Sequence, residues 1–235
     1  MPRSSIGLAL ACLTLAACTS KTSRSLQTAS ASPTAVRLSA EGATPPGEDR
    51  YAQLVARAES GDETLDWGAL RRAYLKSPAF ERARAEREQL MALRRAMFAA
   101  MATHDAATVL AKARASLDLV YVDLEAQKAR AQACAVLEDT ECEKRGRRIE
   151  LGLLRSIISS GDGHSCASAW QVVTVDEEYF VLRMKGETLH RQTVVNEGNQ
   201  VCDKMEVTDE ADQAHIYYFD VGALLAADEA RLNGR

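Results

Sequence analysis

The chain has 235 residues and a formal net charge of −4, with 29 Lys and Arg set against 33 Asp and Glu and no basic block. That balance excludes polybasic binding to nucleic acid or to an anionic membrane surface. With 46% hydrophobic residues, the length suffices for one substantial core or two small ones.

Residues 1–17 read as a secretory signal peptide, with one basic residue, Arg3, before an apolar run from Ile6 to Ala17. The run is too short to span a bilayer as a helix. Leu15-Ala16-Ala17-Cys18 resembles the lipobox of bacterial lipoproteins. The resemblance implies cleavage before Cys18, with a diacylglyceryl thioether and usually an N-linked palmitate on that residue. Several acyl chains make a stable anchor, at about 0.8 kcal/mol per buried methylene. Thr19 follows the cysteine where Asp would imply inner-membrane retention. The resemblance therefore implies lipid anchoring to the outer membrane, on its periplasmic face, in a Gram-negative cell. Loss of Arg3 with the leader takes the net charge to −5.

Residues 18–48 are the lipidated N-terminus and a tether, rich in Ser, Thr, Ala and Pro with no apolar period. Such a segment buries too little surface to offset ordering. It would reach roughly 100 Å fully extended.

Residues 49–160 form a helical half. Tyr51, Leu54, Val55 and Ala58 share a face, and Gly61 stops that helix. Asp66 is the N-cap of the next, with Leu65 and Leu70 at the hydrophobic-staple positions, and Ser77-Pro78 ends it. A long helix is expected over 81–102, with Leu90, Leu93, Met97 and Met101 as its apolar stripe and "ERARAERE" solvated. Asp105 caps a helix carrying Val109, Leu110, Ala113 and Leu117. Another is expected over 119–137, with Leu124, Ala126, Ala129, Ala133 and Val136 or Leu137 inward. The last is expected over 143–159, with Ile149, Leu151, Leu154, Ile157 and Ile158. The Ala-rich stretch from His104 to Ala133 weakly resembles a tetratricopeptide-type helix pair, and an ordinary bundle with Ala at tight crossings fits as well.

Residues 161–235 change period from 3.6 to 2. "SAWQVVTV", "EYFVLRM", "TLHRQTVV", "QVCDKMEV" and "HIYYFDV" are five strand-like runs, with Lys185-Gly186-Glu187 and Asn196-Glu197-Gly198-Asn199 as hairpin turns. "ALLAADEARL" is a final helix. The expected fold is α+β, one composite unit over 49–235, with the helical half packed on a five-stranded antiparallel sheet.

Beyond Cys18 and the leader's Cys12, four cysteines remain: Cys134, Cys142, Cys166 and Cys202. An even number in an oxidising compartment suggests two disulfides, with three connectivities open. Cys134–Cys142 and Cys166–Cys202 is favoured, because each pair lies within one half. A Cys₄ zinc site is the alternative, although no C-x₂-C pair is present.

The stretch "SSGDGHSC" over residues 159–166 gathers an acid, an imidazole, hydroxyls and a thiol. Asp162 and His164 with Ser160, Ser165 or Cys166 as nucleophile is one reading. The other is a turn, in which Gly161 and Gly163 relax the backbone and Asp162 bonds the chain downstream. Asp176-Glu177-Glu178 is a second acidic cluster, suited to glycoside hydrolysis or a divalent metal, or else to a solvated turn. His164, His190 and His215 have no local metal-ligand spacing, and His104 reads as a surface residue before a cap. No P-loop, dinucleotide fingerprint, nucleophile elbow or HExxH appears, so neither metal nor cofactor is expected.

"LDWGALRRAYLKS" (65–77), "SGDG" (160–163), "EEYFVL" (177–182) and "YYFDV" (217–221) occur in an order that resembles an uncharacterised bacterial family. It is a domain of unknown function found in exported proteins. The likeness covers about residues 50–221 through Asp66, Leu70, Arg71, Tyr74, Asp162, Glu178, Tyr179 and Phe219. It implies helices then strands in one unit and transfers no catalytic residue. Arg71 and Glu178 are a possible ion pair between the halves. The functional expectation is a membrane-anchored periplasmic lipoprotein that binds an envelope protein partner through its helical groove. The alternative is a periplasmic hydrolase using Asp162, His164, Glu177 and Glu178 at the helix–sheet junction.

Overall fold

Short polar side chains set where the helices begin in the computed structural model, which describes residues 49–233. The expected leader, Cys18 and the tether lie outside the described residues. Asp49 accepts from the Tyr51 N–H at 3.0 Å and opens α1 (Arg50–Ser60), which Gly61 closes at φ +87°. Asp66 Oδ1 accepts from the Ala69 N–H at 2.8 Å and opens α2 (Trp67–Tyr74), with Leu65 and Leu70 buried around it. Ser77 caps α3 (Pro78–Ala85), whose first residue is proline. Next comes α4 (Arg87–Ala102), which has no side-chain cap. Asp105, Asp123 and Asp139 then cap α5 (Ala106–Leu119), α6 (Leu124–Val136) and α7 (Thr140–Ile158). Each carboxylate satisfies an N–H that has no partner inside its helix. Helices α4 to α7 pack in sequence order, each on the next.

Three helix boundaries differ from expectation. The helix over 81–102 is two helices, broken at Glu86 with φ −98° and ψ 26°. Its first part is not wholly solvated, since Ala83 is buried and Arg84 pairs with Asp228. The helix expected over 119–137 starts at Leu124, where Asp123 supplies the cap, and Val136 is 71% exposed rather than inward, with Leu137 exposed as well. The last helix starts at Thr140 and buries Ile149, Leu153 and Ile157, an i, i+4, i+8 stripe, leaving Leu151 and Ile158 exposed.

The strands are β1 (Trp170–Gln171), β2 (Thr188–Glu197), β3 (Gln200–Thr208) and β4 (Ala214–Asp220), in the order β1-β4-β3-β2. β1 runs parallel to β4, while β2, β3 and β4 pair antiparallel. The sheet is therefore mixed and four-stranded, not antiparallel and five-stranded. "EYFVLRM" lies in helix α8 (Val175–Met184), not in a strand. Asp176, Glu177 and Glu178 occupy its first turn, where carboxylates favour the positive end of the helix dipole. Lys185-Gly186-Glu187 is consequently the exit from α8 rather than a hairpin turn, with Gly186 at φ +76°. The second expected turn does join β2 to β3. Helix α9 (Gly222–Asn233) ends the described chain.

One sheet face, with Met205, Val207, Tyr217 and Phe219, packs with Leu70, Phe80, Ile149, Leu153 and Phe180 in a core shared by helices and strands. On the other face the Cys166–Cys202 disulfide packs with Ala169, Val195 and Tyr218. The second disulfide joins Cys134 to Cys142, so both pairs are those favoured from sequence. Among the described residues no thiolate remains for a Cys₄ zinc site.

Candidate functional site

The loop over 159–166 is a turn whose polar groups are consumed by its own backbone. Asp162 Oδ1 accepts from the His164 N–H at 2.9 Å and from Ser168 Oγ at 2.5 Å. Those bonds, the Ser168 hydroxyl first, hold its carboxyl below the ordinary range. Ser160 Oγ donates to the Ile157 carbonyl at 2.6 Å and accepts from the Gln171 N–H at 2.8 Å, tying α7 to β1. Ser165 Oγ accepts from the Ser168 N–H at 3.2 Å. A methyl group at Gly161 would lie 2.2 Å from the Ser168 carbonyl oxygen, so the chain passes itself too closely for any side chain there. Cys166 is in a disulfide. Asp162 is bonded to the main chain of His164, and the imidazole is exposed with its ring 6.1 Å from that of Tyr217. The arrangement holds no activated nucleophile of the triad kind.

The acids of α8 do converge on the helical half. Arg71 Nε donates to Glu177 Oε1 at 2.8 Å and Nη2 to Oε2 at 2.7 Å, with the side chains 3% and 1% exposed. Arg71 Nη2 also donates to the Gln171 carbonyl at 2.7 Å, and Glu177 Oε2 accepts from the Val173 N–H at 2.8 Å. The pair that sequence reasoning placed between Arg71 and Glu178 therefore forms one residue earlier. A strand would have sent these neighbouring acids to opposite faces, whereas a helix turns both inward about 100° apart. Beside it, Arg94 Nη1 donates to Asp176 at 2.6 Å and Nη2 to the buried Asp123 at 2.7 Å.

Glu178 sits differently. It is fully buried, and no neighbouring N–H or hydroxyl donates to either of its oxygens. The carboxyl that acts on it most strongly is that of Asp203 on β3, also buried. A buried carboxyl that receives no donor and faces a second carboxyl favours its neutral form. Burial first, then the charge of Asp203, pushes Glu178 up to about 9. Asp203 Oδ2 accepts from Gln192 Nε2 at 2.6 Å, and Gln192 Oε1 accepts from the Tyr179 hydroxyl at 2.8 Å. Tyr179 and Gln192 thus link Asp203 to the surface, where Gln192 is exposed. Sequence reasoning missed Arg94, Asp123, Gln192 and Asp203. One signal was present, since Thr174-Val175-Asp176-Glu177 has capping-box spacing and announces a helix.

His164, His190 and His215, which have no ligand spacing in the sequence, are not brought together as ligands in the fold. His190 Nε2 bonds Thr208 Oγ1 at 2.7 Å, His215 Nε2 lies 3.3 Å from Asp209 Oδ2, and His164 stands over the edge of the sheet near Tyr217. Among the described residues, the group with ligand spacing is Cys134, Asp139 and Cys142, and its two thiols are already joined. His104 is exposed just before the Asp105 cap.

Helices α4, α6 and α8 enclose a groove of about 330 Å³ lined by Phe98, Met101, Ala129, Phe180 and Met184. It shares Met101 and Gln132 with a neighbouring hollow of about 250 Å³ that ends at Val136. Phe98 is 46% and Met184 48% exposed. Lys128 edges the groove, its Nζ 3.4 Å from the Met184 sulfur, and Arg183 pairs with Glu125 at the rim.

A protein-family model described as Domain of unknown function (DUF4919) matches residues 46–229. No curated protein and no solved structure matches the chain.

Proposed function

The chain belongs to this family, whose description assigns no reaction, and from that premise we propose that it is a lipid-anchored envelope protein that works by docking a protein partner. The observation that carries the docking is the groove between α4, α6 and α8, where Phe98 and Met184 stay about half exposed over an apolar floor. Large apolar side chains lining a concavity mark an interaction site, and methionine adapts to a partner's shape. An amphipathic helix with apolar anchors at i, i+3 and i+4 suits such a groove. The lipobox at Cys18 supports an anchor in the outer membrane on its periplasmic side, with the tether setting the reach. Nothing in the geometry favours a hydrolase, since Asp162 is spent on its own turn and Glu177 on Arg71.

Two measurements test the reading in a Gram-negative host expressing the full chain. Labelled palmitate should enter the wild type and not Cys18→Ser, and the label should travel with outer-membrane fractions. A photo-crosslinking residue at Phe98 should give one discrete adduct in living cells that disappears with Met184→Glu, while the same residue at Glu197 gives none. Equal labelling of both chains ends the anchor; adducts from Phe98 unaffected by Met184→Glu end the groove.

A further inference from the structure

A second and larger groove, about 1060 Å³, lies between α2, the start of α3 and α9. Its floor on α9 is Ala223, Ala226, Ala227 and Ala230. Its charged lining is Arg72, Lys76 and Arg231 against Glu81. Three cations thus face one anion on a chain whose net charge is −4.

Those cations are weakly used by the fold. Arg72 is 3.7 Å from Asp66, and both side chains are more than half exposed, a pair of little energetic weight. Lys76 and Arg231 have no ion-pair partner among the described residues. By contrast Arg84 and Asp228, which join α3 to α9 close by, are paired with each other. Cations that line a groove without an ion-pair partner are groups that a ligand's carboxylates would meet.

The shape selects among anionic ligands. Alanines spaced i, i+3, i+4 and i+7 let another helix approach closely and seat its ridge. A flat membrane surface is met by basic groups that protrude, whereas here the cations border a concavity with an alanine floor. We propose that this groove is a docking site for an acidic amphipathic helix of a protein partner, whose small apolar face lies on the α9 alanines and whose carboxylates meet Lys76, Arg231 and Arg72. The site is separate from the groove between α4, α6 and α8 and is selected by charge rather than by large apolar anchors.

The test uses the full chain in detergent and three probes. These are a fluorescent helical peptide of Ala and Leu with Glu on its polar face, the same peptide with Lys for Glu, and phosphatidylglycerol vesicles. The Glu peptide should bind at least tenfold more tightly than the Lys peptide and weaken as salt rises. Lys76→Glu with Arg231→Glu should reverse that preference. Ala226→Trp, which fills the floor without changing charge, should abolish binding of the Glu peptide. Phe98→Glu should leave it unchanged, which separates this proposal from the α4–α6–α8 groove. Unchanged thermal midpoints keep each variant interpretable. Equal binding of the two peptides, indifference to Ala226→Trp, or binding of vesicles without the Glu peptide would overturn the proposal.

Discussion

Arg71 on α2 and Glu177 on α8, 106 residues apart in sequence, meet through two parallel charge-assisted hydrogen bonds of 2.8 and 2.7 Å in the protein interior. The bond joins the helical half to the segment that leads into the sheet. Arg71 also reaches the Gln171 carbonyl at 2.7 Å, so the same guanidinium holds β1. Removing one partner strands a buried charge, a loss of about 3–5 kcal/mol. Arg71→Met should therefore lower unfolding stability in urea by that amount, and Arg71→Met with Glu177→Leu should recover part of it. Additive losses from the two single changes would show that the pair is not coupled.

How much of this could be read in the sequence is clearest at that junction. The caps Asp66 and Asp105 were legible because a short acceptor before an apolar period is a local signal, whereas Ser77, read only as the end of α2, also caps α3. Both disulfide pairings and the α+β class were legible from cysteine number and from the change of period. The identity of α8 was not, because Tyr179, Phe180 and Val181 favour strands and a short apolar run reads either way. Misreading it moved the Arg71 partner by one residue and hid Asp203, whose role depends on a β3 position facing a helix rather than a strand. Val136 and Leu151 failed for another reason: periodicity says which residues share a face, while tertiary packing decides which face is covered.

Glu178 gives the folded state a proton that the unfolded chain lacks. Its carboxyl is raised from 4.5 to about 9 by burial and by Asp203, with Glu177, Asp176 and Tyr179 also near. Arg71 and Arg94 are engaged by Glu177 and Asp176. Below the unfolded value both states are protonated and the acid pair is fully stabilising. As pH rises the unfolded state alone loses its proton, so stability falls until the folded value is passed. The slope is at most about 1.4 kcal/mol per pH unit. Glu178→Gln keeps a donor toward Asp203 and cannot ionise. In urea unfolding at about pH 5, 7 and 9, the variant should gain on the wild type at each step. Parallel stability curves for the two proteins would mean that Glu178 is ionised in the fold.

The two disulfides should contribute unequally. Cys166–Cys202 closes 36 residues and Cys134–Cys142 only 8. In the chain-entropy account these loops correspond to about 4 and about 2.5 kcal/mol. Replacing each pair by alanines and measuring urea midpoints should show the larger loss for the sheet-side pair. The reverse order would place the stabilisation in native packing around Cys134 rather than in the unfolded chain.

The turn over 159–166 should behave as structure. Asp162 gathers the His164 N–H and Ser168 Oγ, while the His164 ring is exposed. Asp162→Ala should lower the thermal midpoint, and His164→Ala should leave it nearly unchanged. Gly161→Ala should be worse than either, because its methyl group would fall 2.2 Å from the Ser168 carbonyl oxygen and backbone must move; overpacking of that kind costs about 1–3 kcal/mol. Asp162→Asn is the discriminating change. It keeps an oxygen acceptor for the His164 N–H and loses the charge, so a turn should largely survive it, whereas a general base would not. A midpoint near wild type for Asp162→Asn, with a clear loss for Asp162→Ala, assigns the residue to the backbone of its own turn. Equal losses for both would mean that the negative charge itself is needed there.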